Sequence, residues 1–363
     1  MKGRFKMDTM KAAVFHGKKD MRLESRAVPV PTVNQMLIKI EYCGICGTDI
    51  ESYQNGNMIP PGMVFGHENV GIVCALGEGV AGYALGDRVL CGPPTHCAEN
   101  CTPCQNGQSN LCLYGFGRTA GIRRFDGGYA QYMLINDVAH TMLIKVDDNT
   151  DPKEAVLFDI VCVAVHAIRK SGFRIGDNVV VSGTGSIGLS AIRLLRAAGA
   201  NRIVALGTTP SKFDLIRSFG ADIVINARKC ADIKGELCRF FGSDVAADIA
   251  FECAGNQQSL QNCLLQCVKP GGEVMLVGSI ATPIGDIIPN RFAIKEINLT
   301  TSFVYTPEEA RMYLEMISVR KLRFSDLVTD IISLEDCVTQ GLERQDRSKQ
   351  LKVLINPWLV GGK

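Results

Sequence analysis

Asn178-Val179-Val180-Val181-Ser182-Gly183-Thr184-Gly185-Ser186-Ile187-Gly188 reads as an apolar strand running into a glycine-rich turn, and the stretch Leu189 to Ala198 behind it has a helical composition. G-x-G-x-x-G alone is a weak pattern, often no more than a tight turn. Between a strand and a helix, its glycines let the backbone approach a pyrophosphate held at the helix N-terminus. Gly183, Gly185, Ser186, Ile187 and Gly188 are therefore candidate dinucleotide-binding residues. On the C-terminal side the same texture continues, with apolar runs at Arg202 to Leu206 and Ile223 to Asn226 separated by a helical stretch, Ser211 to Phe219. Two further runs have the look of buried strands, Ala247 to Glu252 and Glu273 to Val277, the second preceded by a Lys269-Pro270-Gly271-Gly272 turn. Such alternation predicts βαβ units around a parallel sheet.

The second strand of such a unit, Ile203-Val204-Ala205-Leu206, should end in Asp or Glu if the adenosine ribose carries a free 2′-hydroxyl, because a carboxylate accepts hydrogen bonds from that diol. Here it ends in Gly207, followed by Thr208-Thr209-Pro210-Ser211-Lys212. Hydroxyls and a cation suit a 2′-phosphate, which a carboxylate would repel. Gly207, Thr208, Thr209, Ser211 and Lys212 are thus candidate cofactor residues, and the reading leans to NADP(H). The alternative is an NAD enzyme whose ribose contacts come from elsewhere.

Upstream, from Met10 to about Asp147, short β-branched runs such as Met36 to Glu41, Val70 to Leu76 and Asp87 to Cys91 are broken by Gly, Pro and Asn. This punctuation predicts a strand-rich, loop-heavy domain. With 363 residues, two globular units are expected: residues 1–155, completed by 300–363, and residues 156–299. The tail offers an amphipathic helix, Pro307 to Ser318, and a closing apolar segment, Leu351 to Ile355.

Lys and Arg number 39 against 37 Asp and Glu, with no basic block long enough to follow a phosphate backbone, so nucleic acid is not an expected partner. Met1 to Asp8 is basic and polar with no apolar core after it, and no run approaches the roughly 18 apolar residues of a membrane span. A cytoplasmic protein with no membrane partner is expected. Most of the fifteen cysteines are scattered among apolar neighbours, as buried thiols are. Four are not. Cys97-x3-Cys101-x2-Cys104-x7-Cys112 offers four thiolates from one polar loop, a closed donor set that describes a structural zinc. A disulfide pair is the competing reading.

Two further runs, Cys43-Gly44-Ile45-Cys46-Gly47-Thr48-Asp49 and Gly66-His67-Glu68-Asn69-Val70-Gly71, bring thiol, imidazole and carboxylate into the same domain. Taken with the four-cysteine loop and the glycine fingerprint, in this order, the chain resembles the zinc-containing medium-chain dehydrogenase/reductase family, in particular its sorbitol, butanediol and threonine dehydrogenase branch. The resemblance runs from Met10-Lys11-Ala12-Ala13-Val14 to the last strand. It implies an α/β fold in which a GroES-like β-rich catalytic domain is joined to a Rossmann doubly wound parallel-sheet domain. It also implies two zinc ions per chain, NAD(P), a small alcohol, polyol or ketone substrate, and a homodimer or homotetramer.

Position by position, the resemblance implies that Cys46 and His67 bind a catalytic zinc, with Glu68 ligating it directly or through water. The third ligand of this branch falls seven residues before a His that precedes the cofactor strand. Counted back from His166 this is Asp159, with Cys162 as a nearby competitor. Thr48 matches the hydroxyl that passes the alcohol proton outwards, and Asp49 the carboxylate that orients the His67 ring; Cys43 matches no ligand position. Tyr53, Phe65, Tyr129 and Phe303 are either packing or pocket aromatics. The sequence departs from the family in the three residues between Cys97 and Cys101, where two are usual. It departs again at Glu51, where a relay His often stands, and in the missing acid at Gly207. Two competing readings are a zinc-independent alkene or quinone reductase, which would leave Cys46, His67 and Asp159 idle, and a non-catalytic nucleotide sensor.

Overall fold

Val179, Val180 and Val181 are all fully buried, at the heart of the strand Asn178–Ser182. That strand has parallel neighbours on both sides, Arg202–Gly207 and Ala247–Glu252. A continuous apolar run without alternation is what a strand covered on both faces requires. Ile223–Asn226 extends the sheet beyond the second strand, and Val268–Leu276 and Asn298–Thr301 extend it beyond the fourth. Counted in chain order, the six strands lie 3-2-1-4-5-6, the doubly wound order of a dinucleotide-binding sheet. Helices Ser186–Ala197, Phe213–Ser218 and Ile233–Phe241 make crossovers between these parallel strands. The Lys269-Pro270-Gly271-Gly272 segment differs from expectation. It does not precede its strand but lies inside it: pairing breaks after Ala247 with Val268 and resumes at Ile249 with Glu273, and Gly271 takes φ +73°.

This computed structural model describes residues 8–285, 287–343 and 349–361, so the basic start Met1–Met7 lies outside the described residues. The chain divides into two compact units, one of residues up to Asp159 and from Thr306 onwards, the other Ile160–Tyr305. The first division falls within the helix Phe158–Lys170, later than the change of sequence texture, because the helix begins in one unit and ends in the other.

The first unit is built on antiparallel strands. Met36–Gly44 pairs with Glu68–Leu76, which pairs with Arg88–Pro94, which pairs with Thr141–Lys145, while Tyr132–Ile135 lies along part of Met36–Gly44. The last strand, Lys352–Ile355, returns from the far end of the chain to lie antiparallel to Met36–Gly44, with Val328–Ile332 parallel on its outer side. A hairpin, Thr9–Gly17 with Asp20–Ala27, packs Ala12, Val14 and Phe15 into the same apolar core as Met36, Ile38 and Phe65. Among the described residues no helix is long and apolar enough to cross a membrane.

Candidate active site and metal centres

Cys46 follows the strand Met36–Gly44 and caps the helix Gly47–Asn55, while His67 and Glu68 stand at the start of the strand Glu68–Leu76. Pairing of Gly44 with Glu68 across those strands brings the two segments together. One donor atom each from Cys46, His67 and Glu68 lies within 4.8 Å of the others. Two glycines make the approach possible. A Cβ on Gly44 would sit 2.0 Å from Glu68 Oε2, and one on Gly66 would sit 2.5 Å from the Tyr129 ring at φ +100°.

Asp49 lies beneath this cluster with no exposed surface. Its Oδ2 accepts the Cys46 amide at 2.9 Å and the Tyr129 hydroxyl at 3.1 Å, and its Oδ1 stands 3.5 Å from His67 Nδ1. Burial works against a charged His67 ring, but Asp49 and Cys46 outweigh it and hold the ring well above its ordinary pKa. Burial likewise pushes the Glu68 carboxyl up, with Lys352 pulling it down and Asp159 adding repulsion. A buried imidazole ringed by thiol and carboxylates is a donor set that a divalent cation completes. Asp159 opens the helix Phe158–Lys170, half-buried and close enough to act electrostatically on both Glu68 and Lys352, though outside the 4.8 Å group. Cys162, one turn on, is fully buried.

Thr48 is half-buried in the first turn of Gly47–Asn55, and Glu51 is exposed three residues further along. That spacing sets the two side chains on one face of the helix. Tyr53, Phe65 and Tyr129 are core residues: Tyr53 donates to Glu343 at 2.8 Å, and Phe65 packs on Phe15 with ring centroids 4.9 Å apart. Phe303 is half-exposed.

The four-cysteine loop gathers its thiols locally. Sγ atoms of Cys97 and Cys104 lie 3.9 Å apart and those of Cys101 and Cys112 4.0 Å, with all four within 4.8 Å. Thiolates about 2.3 Å from a tetrahedral zinc stand roughly 3.8 Å from one another, so the set fits that ion. The extra residue between the first two cysteines is absorbed at Asn100, whose amide donates to the Cys97 carbonyl at 3.0 Å and whose φ is +47°. The Leu113 backbone amide, followed by neighbouring donors, brings the Cys101 thiol down to about 6, into thiolate range at neutral pH. All fifteen cysteines are free, so the disulfide reading does not hold in this structure.

In the parallel-sheet unit the three fingerprint glycines do different work. A Cβ on Gly183 would strike the Ala254 backbone at 2.4 Å, and one on Gly188 would strike the Gly183 carbonyl at 1.9 Å. Gly185 has nothing within 4 Å of that position and caps Ser186–Ala197 without a side-chain hydrogen bond. Helix amides in open space without a capping side chain form an anion site. The Cys253–Gly255 loop stacked on Gly183 is braced by Glu252, a fully buried carboxylate that accepts the amides of Ala254 at 2.9 Å and Gly255 at 3.0 Å. Gly207 is buried, with Thr184 Oγ1 3.2 Å from where its Cβ would stand. Thr208 and Ser211 are exposed and Thr209 half-buried, whereas Lys212 is 8% exposed where the turn Pro210–Lys212 meets the next helix.

Three contributors escaped the sequence reading. Lys352 and the hydroxyl of Tyr129 act through partners 284 and 80 residues away, and Glu252 through a backbone turn. A lone lysine within the closing apolar run Leu351 to Ile355 was the available signal for the first.

Two family models match the chain, the alcohol dehydrogenase GroES-like domain over residues 32–148 and the zinc-binding dehydrogenase domain over residues 186–319. A sorbitol dehydrogenase of Bacillus subtilis (strain 168) is 31% identical over 96% of this chain and 97% of its own length. The chain belongs to the zinc-type medium-chain alcohol dehydrogenases. An (R,R)-butanediol dehydrogenase of the same organism is also 31% identical, over 96% of this dehydrogenase and 100% of its own length. The solved 2R,3R-butanediol dehydrogenase from Bacillus subtilis superposes with a TM-score of 0.83 at 30% identity, covering 96% of this chain and 99% of that one. A zinc-binding dehydrogenase structure from Sinorhizobium meliloti 1021, bound to NADP, gives a TM-score of 0.87 at 26% identity, covering 97% and 100%. The dehydrogenase is accordingly a GroES-like domain joined to a Rossmann domain, an oxidoreductase that exchanges hydride between an alcohol and NAD(P).

Proposed function

We propose that this dehydrogenase oxidises a secondary alcohol, diol or sugar alcohol, or reduces the matching ketone, at a zinc held by Cys46, His67 and Asp159 with Glu68 alongside. A second zinc, held by Cys97, Cys101, Cys104 and Cys112, is structural in this reading. The observation that carries it is the convergence of Cys46, His67 and Glu68 within 4.8 Å above the buried Asp49. The substrate class follows the relatives, whose names are those of sorbitol, butanediol and xylulose enzymes.

When bound, zinc supplies a Lewis acid that lowers the pKa of a hydroxyl at its open position. Every other part of the work falls to the chain. Asp49 fixes the tautomer and tilt of His67 from its buried seat, and is itself steadied by the Tyr129 hydroxyl and the Cys46 amide. Thr48, two residues after Cys46, takes up the substrate hydroxyl proton, and Glu51, on the same helix face and exposed, passes it to water. Gly183, Gly185 and Gly188, with the amides of Ser186 and Ile187, hold the pyrophosphate against the helix N-terminus.

NADP(H) is the preferred dinucleotide in this reading. Gly207 removes the ribose-binding acid, Thr208, Thr209 and Ser211 supply hydroxyls, and Lys212 supplies a cation. Arg228 and Lys229, both exposed, follow the neighbouring strand end at Asn226, which pairs with Gly207, and add positive charge on that side. The protein works in the cytoplasm as a homodimer or homotetramer. Fifteen free cysteines suit a reducing compartment, and the edge strand Asn298–Thr301 offers backbone groups to a second copy. A screen of diols, polyols and ketones with both dinucleotides, followed by absorbance of the reduced cofactor, tests the proposal. Turnover of secondary alcohols supports it, and activity confined to activated alkenes refutes it.

A further inference from the structure

Gly121, Gly127 and Gly128 crowd onto Gly66, the residue before His67. A Cβ on Gly121 would stand 2.4 Å from the Gly66 carbonyl oxygen and one on Gly127 2.2 Å, and the Gly128 amide donates to that oxygen at 2.9 Å. Between these contacts the chain makes a closed turn. The Gly121 amide donates to the Phe125 carbonyl at 2.7 Å, the Ile122 amide to the Thr119 carbonyl at 3.3 Å, and the Ile122 side chain is buried beneath. At the tip are Arg123 and Arg124, both exposed, with the Arg124 guanidinium 5.3 Å from the centre of the Phe125 ring. Residues 117–125 carry three arginines and no acid. The next acid along, Asp126, is engaged elsewhere: its Oδ1 accepts the Val64 amide at 2.9 Å and its Oδ2 lies 3.7 Å from Arg26 Nη1. Turn and metal cluster belong to the same compact unit.

We infer that Arg123 and Arg124 recognise an anionic group on the substrate, so that the alcohol oxidised is a polyol bearing a phosphate ester or a carboxylate several carbons from its carbinol. The inference rests on the reading of Cys46 and His67 as the centre at which the carbinol oxygen sits, and it narrows the substrate class given there. Two residues of backbone span at most about 7 Å, so Arg123 lies within that distance of a glycine that touches the Gly66 backbone. A guanidinium offers its donors as a planar fork that matches pairs of carboxylate or phosphate oxygens, and it stays charged at any working pH. An arginine that only solubilises a surface requires no mooring. This pair is moored to the residue before a metal-ligand histidine by glycine contacts that leave no room for a side chain.

The test compares kcat/KM for sorbitol, sorbitol 6-phosphate and gluconate in the full-length, zinc-loaded protein, with 2,3-butanediol as a small neutral reference. One or both charged polyols are expected to exceed sorbitol by about ten- to a hundredfold, the range of one charge-assisted contact, with the advantage shrinking as salt is raised. A lead for sorbitol 6-phosphate assigns a phosphate ester, and a lead for gluconate an acid. In the double variant Arg123→Gln/Arg124→Gln the charged-to-neutral ratio is expected to fall about tenfold or more. Arg123→Lys/Arg124→Lys, which keeps the charge without the fork, should fall between. Each ratio is taken within one preparation, so a partly misfolded variant still reports it. A wild type that prefers sorbitol or treats the three polyols alike would overturn the inference, as would a charged preference that survives in the double Gln variant. Turnover of 2,3-butanediol alone would also overturn it and leave the secondary-alcohol reading intact. A wild type that oxidises none of the four would instead overturn that reading beneath it.

Discussion

The two sulfur-bearing clusters of the first unit are made in opposite ways. Cys97, Cys101, Cys104 and Cys112 come from sixteen consecutive residues, and turns at Asn100 and Gly107, both with positive φ, bring their thiols together. Cys46, His67 and Glu68 come from the facing ends of two strands, and their surroundings come from Asp49 close by and from Tyr129, Asp159 and Lys352 much further along the chain. The loop gathers four soft donors within 4.8 Å of one another, enough to leave a tetrahedral ion no open position. In the other cluster, hard and soft donors are mixed above a buried carboxylate, and the supporting side chains spend their hydrogen bonds on fixing donors rather than adding more. Closed sets hold a fold together, whereas a supported and incomplete set leaves room for substrate.

That contrast can be broken most severely at the incomplete set. His67→Ala or Cys46→Ala is expected to reduce alcohol oxidation to background while dinucleotide binding, followed by fluorescence of the reduced cofactor, stays within about twofold. In the proposed reading the dinucleotide is held by Gly183, Gly185 and Gly188 in the other unit, so a parallel loss of binding would mean that the variants have unfolded rather than lost a ligand.

A step down in size, Asp49→Asn keeps the shape but removes the charge beneath His67. Supporting partners of this type change metal affinity or activity by about 10–100-fold. Tyr129→Phe, which takes one donor from Asp49, should cost less than Asp49→Asn when the metal affinity of both variants is measured by competition with a chelator. An equal or larger cost would place the effect in the packing of Tyr129 against Gly66 instead.

Cofactor choice should respond over a similar range without touching either cluster. One charge-assisted contact to a phosphate contributes about 1.5–3 kcal/mol, or roughly one to two powers of ten in affinity. Lys212→Ala and Arg228→Ala, compared by their dissociation constants for NADP(H) and NAD(H), therefore separate the two cations. Lys212 is buried and Arg228 exposed, so a loss confined to Arg228 would move the phosphate site to the neighbouring strand end. Gly207→Asp should weaken NADP(H), and its side chain must first displace Thr184 Oγ1.

The mildest effect on chemistry is expected at the closed set. Cys104→Ser should lower the thermal midpoint by about 5–10 °C, the shift that a loss of a few kcal/mol gives, while the kcat of the surviving folded protein stays near the parent's. Full heat stability with lost activity would reverse the roles of the two clusters.

How much of this was legible in the sequence follows the same division between local and assembled. The parallel βαβ units could be anticipated from Asn178–Gly188 and the runs after it, because each βα turn is written in consecutive residues, and the helix Pro307–Ser318 was readable to its ends for the same reason. The Lys269–Gly272 turn was misjudged because Pro and Gly signal a break without saying whether it interrupts a strand or precedes it. Cys46, His67 and Glu68 were visible as motifs. Lys352 was not, since nothing local distinguishes a lysine bound for solvent from one that meets a carboxylate 284 residues away. Glu252 was hidden likewise: it stands at the end of an apolar strand, and its partners are backbone amides that any residues would supply. For Tyr129 the sequence left packing and pocket open. The structure makes it a core residue whose hydroxyl serves Asp49.

The central claim, two clusters with separate duties, is tested most directly by zinc content measured together with turnover in the parent, Cys46→Ala and Cys104→Ser proteins. The account predicts two zinc ions per chain in the parent. Cys46→Ala should retain one, with the parent's heat stability and no alcohol oxidation, and Cys104→Ser should retain one, with alcohol oxidation but a lowered thermal midpoint. Wild-type turnover by Cys46→Ala with its zinc gone would contradict the account outright.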